Sequence, residues 1–397
     1  MALATFVAYV LLAVLYHLQS QRAYHRTHYD LRTVFILSAL GGALGGVVTR
    51  ILHAPADVGG HAFGLSRGER ELGLHSDVAV FSPGPFGYGT DIDLRAGVEH
   101  ALPVRIARRA AFLRWALDRY DVFHFNFGQT LLTLRQFGLA FDELPLLRRR
   151  GKKVIVTYQG CDVRPFEACA CRKPRCVAET PARQPRAARL TAFADRVLYL
   201  NPDLRRWLPT GTFIPYANVD PKDFAPEALP AGDEIVVAHA PTDRDVKGTR
   251  HLVDAIEALR AEGSPVRLDL IEGLARAELR RRLLAASVVV DQLLMGWYGG
   301  FAVEAMSLGR PVISSVRDEK PGDNPFGDEL PIVRSSPATI LRDVRVLVED
   351  GSLRRELGAA ARRFVERHHD PQAVARQVLD GLVPVPERPG GVAAAAR

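Results

Sequence analysis

The sequence predicts an α/β protein made of two doubly wound parallel-sheet domains that face each other across a cleft. Three observations point there. The chain has 397 residues, and single cores stop growing near about 250–300 residues. From Val48 onward, short and almost continuous apolar bursts alternate with helix-length segments, as in a parallel sheet covered on both faces. The rhythm stops at the proline-rich "PKDFAPEALPAGD" and then begins again.

In the first unit "VTRILHAP" is an apolar strand ended by "ADVGG", and "HAFGLSRGERELG" carries helical spacing. "DVAVFSP", "DVFHFNFG", "KVIVTYQG", "RVLYLN" and "TFIPYA" are the further strands, separated by helix-length segments such as 104–120. The second unit has strands in "EIVVAHA", "VRLDLIEG", "SVVVDQLL", "PVISSV" and "LPIVRS". Its helices cover 248–262, 278–286, 301–308 and 337–350, followed by helical "LRRELGAAARRFVERHH" and "PQAVARQVLDGL". The chain therefore divides into an extension (1–46), a first domain (47–216), a second domain (217–382) and a loose Pro/Gly/Ala-rich tail (383–397).

The extension holds two apolar runs, 2–18 and 34–48, around a basic segment. Each run is short for a spanning helix, which needs about 20 residues. It reads either as a membrane-associated anchor or as upstream sequence outside the working protein. The chain carries +7 overall, yet residues 101–200 hold 19 Lys and Arg against 8 Asp and Glu. That local +11 leaves −4 for the rest, so the basic surface belongs to the first half. No aromatic–basic stacking pattern accompanies it, which argues against nucleic acid. An anionic membrane surface or a phosphorylated ligand suits it. The expectation is a cytoplasmic protein, with the inner face of the membrane as a further docking place.

All four cysteines fall in "GCDVRPFEACACRKPRC", which is not a secreted disulfide framework. Reduced thiols in a basic loop are expected. A structural zinc on Cys161, Cys169, Cys171 and Cys176 is the alternative, disfavoured because the usual C-x2-C knuckle is missing. Arg164, Arg172, Lys173 and Arg175 favour the thiolate forms.

"DVGGHAFG" is not the dinucleotide fingerprint, and no GxxxxGK[ST] loop occurs, so dehydrogenase and P-loop readings are weak. By contrast, "GGFAVEAMSLGRPVI" resembles the donor-site segment of retaining GT-B glycosyltransferases of the glycogen-synthase-like family 4 type. "PADVGGHAFGLSRGERELG", "VFHFNFG" with "VIVTYQGCDVR", "FIPYANVDPKDFAP" and "HAPTDRDVKGTRHLVDAIEAL" match further segments of that family in the same order. The resemblance spans about residues 48–382. It implies two Rossmann-like domains, a nucleotide-diphosphate sugar donor in the second and an acceptor in the first. The acceptor class, whether sugar, lipid-linked or metabolite, is left open.

The residues support this on physical grounds. Gly59 and Gly60 precede one helix, Gly299 and Gly300 another, where free amides and the helix dipole attract phosphate. Lys247 and Arg244 can neutralise a diphosphate leaving group. Glu304, with Phe301 beside the glycines, can bind ribose hydroxyls. Gln159, His124 and Asp162 are the candidate catalytic residues on the acceptor side. Two departures stand out: Gly296 replaces the family's first Glu, and Gln159 stands where relatives often carry His. Gln can hydrogen-bond a sugar but cannot titrate. Trp297 and Tyr298 are expected to stack on the sugar in place of the lost acid. No metal or other cofactor is expected for the reaction. The competing reading is a catalytically weak nucleotide-sugar binder or membrane-surface assembly protein on the same fold.

Overall fold

The computed structural model describes residues 48–386, apart from 85, 134–142, 170–173 and 275, and gives only the backbone of 174–179. The extension at 1–46, Cys171 and the Cys176 side chain lie outside the described residues.

The apolar bursts form two parallel sheets. The first contains β1 (Arg50–Ala54), β2 (His75–Val80), β3 (Ile92–Asp93), β4 (Val122–Asn126), β5 (Lys153–Tyr158), β6 (Arg196–Tyr199) and β7 (Thr212–Phe213), in the order β3-β2-β1-β4-β5-β6-β7. The second contains β8 (Ile235–His239), β9 (Val266–Leu270), β10 (Val288–Val290), β11 (Val312–Ser314) and β12 (Ile332–Arg334), in the order β12-β11-β10-β8-β9. Val, Ile and Phe runs fit these strands because helices cover both faces: Ile51, Leu52, Phe123, Val237 and Val289 are all fully buried. Each sheet reverses direction once, between β1 and β4 and between β10 and β8. Ligands of doubly wound sheets bind outside the strand ends at such switch points.

The helices are α1 (His61–Glu71), α2 (Leu102–Leu117), α3 (Leu144–Arg149), α4 (Pro174–Phe193), α5 (Arg244–Lys247), α6 (Thr249–Ala261), α7 (Arg276–Leu284), α8 (Gly300–Ser307), α9 (Ile340–Glu349), α10 (Gly351–His368) and α11 (Pro371–Leu379). Most lie within a few residues of their expected places. Asp350 separates α9 from α10, capping the latter through the Leu353 amide.

The chain order misleads at the carboxyl end. α11 was expected in the second domain, but Val374, Ala375, Val378 and Leu379 pack into the first domain's core with Ile51, Leu65 and Leu72. Two glycines in α1 allow this approach. A Cβ on Gly68 would lie 2.1 Å from the Pro371 carbonyl oxygen, and one on Gly64 would lie 1.7 Å from that of Ala217. The expected loose tail also begins too early, because Val383 and Val385 join the same core. Residues 387–397 lie outside the described residues.

Candidate active site

The turn after β1 builds the first wall. Gly59 and Gly60 take φ of 69° and 77°, a left-handed bend that side chains resist. Asp57 steadies α1 by accepting the Ala62 amide at 3.0 Å. Its other oxygen has no hydrogen-bond partner among the described residues. Burial pushes its carboxyl up to about 6, although the Ala62 and Phe63 amides, His53 and Arg276 pull the other way. Asp57 borders a cavity of about 410 Å³ at the carboxyl end of the first sheet, with Tyr88, Arg105, Arg109 and Gln129. The Arg105 Nε is buried and likewise has no partner among the described residues.

The second wall is α8. Its first residue, Gly300, faces the first domain directly: a Cβ there would sit 2.8 Å from Asn218 Nδ2 and 3.6 Å from the Gly59 carbonyl oxygen. Asn218 donates to the Gly300 carbonyl at 3.1 Å. The two glycine turns thus meet across the cleft. Glu304, on the same helix, is 3% exposed. Its carboxyl pKa is raised by burial and opposed by Arg276, which lies 3.5 Å away. Arg276 also sits over the Tyr88 ring, 5.1 Å from its centroid, so one cation joins both domains. Phe301 is half-buried against the second domain's core.

Lys247 and Gly299 converge, but on a protein carboxylate. Asp291, at the end of β10, accepts from Lys247 Nζ at 3.2 Å and from the Gly299 amide at 2.6 Å. Lys247 also donates to Gln292. Arg244 does not join this group. Its guanidinium forms a two-pronged pair with Glu272 on the surface.

The three candidates on the acceptor side separate. Asp162 accepts the Gln159 and Gly160 amides, at 3.0 and 2.7 Å, and so shapes the loop after β5. Burial raises its pKa, and those amides and Arg164 oppose the rise. Gln159 has its carbonyl bonded by Asn201, while its side-chain nitrogen is buried with no partner among the described residues. His124 is not open to the cleft. It lies inside β4, fully buried, with Nε2 2.7 Å from Thr157 Oγ1. Burial, with His53 and His61 nearby, drives its pKa well below the ordinary imidazole value. Paired with it across the β1–β4 register is His53, which contacts Glu69 at 2.8 Å. His53, Glu69 and His124 are the one group of His, Cys, Asp and Glu among the described residues close enough to share a metal ion. A hydrogen bond from Ser76 to Glu69 marks the group as part of the core's polar network.

The expected aromatic platform is absent. Trp297 and Tyr298 are 2% and 0% exposed. Trp297 packs against Phe213 and Phe326, and Tyr298 reaches His369 at 3.1 Å. Both belong to the second domain's core cluster, and the chain just before them, at Gly296, turns through φ of 75°. Arg317 lies over that glycine, within 2.5 Å of where a Cβ would be. An acidic side chain there would require Arg317 to move aside and the backbone to hold a left-handed φ that side chains resist. Asp57, Tyr88, Asn218, Arg276 and Arg317 line the candidate site, and sequence reading did not single them out. Three of them stood in plain sight, in "PADVGG", "YANVD" and "SVRDEK".

The fold is the GT-B arrangement of two Rossmann-like domains. Similar structures include a sucrose-phosphate synthase from Thermosynechococcus elongatus, at 18% identity and TM-score 0.56, covering 83% of this chain and 97% of that one. An alpha-glucosyltransferase in complex with UDP-glucose and DNA aligns at 12% identity and TM-score 0.54, over 85% and 99% of the chains. A protein described as a UDP-N-acetylglucosamine 2-epimerase from Listeria monocytogenes aligns at 15% and 0.51, over 84% and 95%. No family model matches the sequence, and no curated protein matches it. Among the described residues no helix is long and apolar enough to cross a membrane.

Proposed function

We propose that the chain is a glycosyltransferase that moves a sugar from a nucleotide-diphosphate donor to an acceptor, retaining the anomeric configuration. The observation that carries this reading is the meeting of two glycine-lined helix starts across the cleft, with the Arg276–Glu304 pair beside them. The Gly299 amide is held by Asp291, but the amides that follow it at the start of α8 can approach a diphosphate closely because Gly300 carries no side chain, and the helix dipole favours the anion. Lys247 borders this position and adds charge as the leaving group departs. Glu304 holds the ribose hydroxyls. The glucosyltransferase and the epimerase noted above both carry UDP-linked sugars in their descriptions, which supports a nucleotide sugar as the donor.

The acceptor occupies the cavity beside Asp57, whose open oxygen receives a hydrogen bond from the acceptor hydroxyl. Departing phosphate takes the acceptor proton on the same face, so the reaction needs neither an imidazole at position 159 nor a metal. Sugars, lipid-linked sugars and small metabolites fit this role, and the basic first domain suits an anionic membrane surface. A second reading, a nucleotide-sugar binder with weak turnover, is favoured by Gly296 and the Arg317 side chain laid over it.

Calorimetry with nucleoside diphosphates, followed by radiolabel transfer or slow donor hydrolysis, tests both. Binding with turnover supports transfer, and binding without it supports the second reading. A folded protein that binds no nucleoside diphosphate or nucleotide sugar refutes both.

A further inference from the structure

The cavity at the carboxyl end of the first sheet is charged differently at its two ends. Its charged lining residues are Asp57, Glu99, Arg105 and Arg109. Asp57 interacts electrostatically with His53 and with Arg276, the residue that meets Tyr88 and Glu304, so it stands toward the second domain. Arg105 and Arg109 lie four residues apart on α2 and therefore on one face of it. Like charges at that spacing oppose each other. Burial, and then the Arg105 charge, bring the Arg109 pKa down to about 10, while Glu143 opposes them.

No bonded carboxylate offsets this crowding. Arg109 is buried against the Phe81 ring, and its hydrogen bonds run to the main-chain carbonyls of Ala96, at 2.8 Å, and Thr133, at 3.0 Å. With a longer bond from Nε to Ala96, three of the five guanidinium N–H groups are used, and two remain. The Arg105 Nε is buried without a partner among the described residues. Glu99 attracts Arg105, but its carboxylate is exposed and accepts from Ser82 Oγ. Two cations held together in a cavity without a bonded counter-ion form a site for an anion.

We propose that the acceptor bears an oxyanion, a carboxylate or a phosphate ester, that docks on Arg105 and Arg109 while its reacting hydroxyl reaches Asp57. The free N–H groups match the oxygens of such a group and give charge-assisted hydrogen bonds. A neutral sugar leaves those donors unmatched, so the site selects by charge. The oxyanion is unchanged by the reaction. The hydroxyl oxygen bonds to the sugar's anomeric carbon as the bond to the diphosphate breaks, and its proton leaves with the diphosphate. At about 410 Å³ the cavity holds a compact molecule or the end of a longer one. This inference rests on reading the cavity as the acceptor's place.

The test uses the full chain and calorimetry with glucose 6-phosphate, glucuronate and glucose as probes, with UDP at saturation to fill the diphosphate position. At least one anionic probe is expected to bind about tenfold or more tightly than glucose, and the better of the two tells phosphate from carboxylate. Arg105→Gln is expected to remove that preference and Arg105→Lys to keep part of it. Should Arg105→Gln fail to fold, the unmodified chain decides by competition, in which inorganic phosphate is expected to displace the anionic probe far better than glucose does. UDP binding with no preference for either anionic probe overturns the inference and leaves the transfer reading standing. A preference that survives Arg105→Gln also overturns it. An Arg105-dependent preference in a chain that binds neither UDP nor another nucleoside diphosphate keeps the oxyanion site and refutes the transfer reading.

Discussion

Replacing Asp57 by Asn tests the electrostatics of the first wall. The folded protein holds the Asp57 proton up to about pH 6, against 3.8 for an ordinary aspartate. Between these values unfolding releases a proton, so raising the pH favours the unfolded chain. Each unit is about 1.4 kcal/mol, and the gap of roughly two units makes about 3 kcal/mol of stability lost by neutral pH. Below about pH 4 the carboxyl is neutral in both states and the loss vanishes. Asn keeps an oxygen for the Ala62 amide but cannot titrate. Its buried NH2 adds a constant offset that cancels when the pH is varied. Guanidinium unfolding of both proteins, followed by tryptophan fluorescence at roughly pH 4, 5.5 and 7, reads the difference. Relative to the wild type, the variant is expected to gain about 3 kcal/mol across that range. Parallel curves, within about 0.5 kcal/mol, would refute a carboxyl held protonated by burial.

Lys247→Ala leaves Asp291 charged and buried with one cation fewer, so the single variant is expected to lose stability. Lys247→Ala with Asp291→Asn should fold, yet lose at least about tenfold in donor affinity and transfer, measured by calorimetry and radiolabel; unchanged kinetics would take Lys247 out of the site. Glu304→Gln is expected to weaken binding of the bare nucleoside diphosphate along with transfer, and equal affinity would end its ribose role. Trp297→Leu should cost about 2–4 kcal/mol of stability and leave sugar preference unchanged, as a core residue does; a normal melting temperature with altered sugar preference would restore the stacking idea. Gly68→Ala forces a methyl into the Pro371 carbonyl and should cost about 1–3 kcal/mol or more, with α11 becoming sensitive to limited proteolysis.

The fold was legible because its signals are local. Strands buried on both faces read as apolar bursts, and β1, β4, β5, β8 and β9 all fall inside the expected runs. β3 is two residues long at a sheet edge, too short to leave a pattern. α4 was missed because Pro181 and Pro185 lie within it and each removes a backbone donor. Residues lining the candidate site were legible by position where a glycine or charge has a helix to mark it, as at Gly59, Gly60, Lys247, Gly300 and Glu304, while their roles stay proposals. They were not legible where a role depends on contacts far along the chain. Arg276 contacts Tyr88 and Glu304, and Arg317 lies over Gly296. Trp297 and Tyr298 misled for the same reason, since their partners Phe213, Phe326 and His369 lie far off in sequence.

The return of α11 to the first domain limits how this protein can be divided. A fragment ending near residue 216 would expose the apolar surface that Val374, Val378 and Leu379 cover, and a fragment beginning there would carry an apolar helix with nothing beneath it. Burying one such side chain contributes roughly 1.5–3 kcal/mol, so each half would be prone to self-association. The connections near Ala217 and Pro371 are both seated against glycines of α1, so the two domains are joined at two crossings rather than by a single tether. Any exchange of second domains between proteins on this plan must carry the last helix with the first domain.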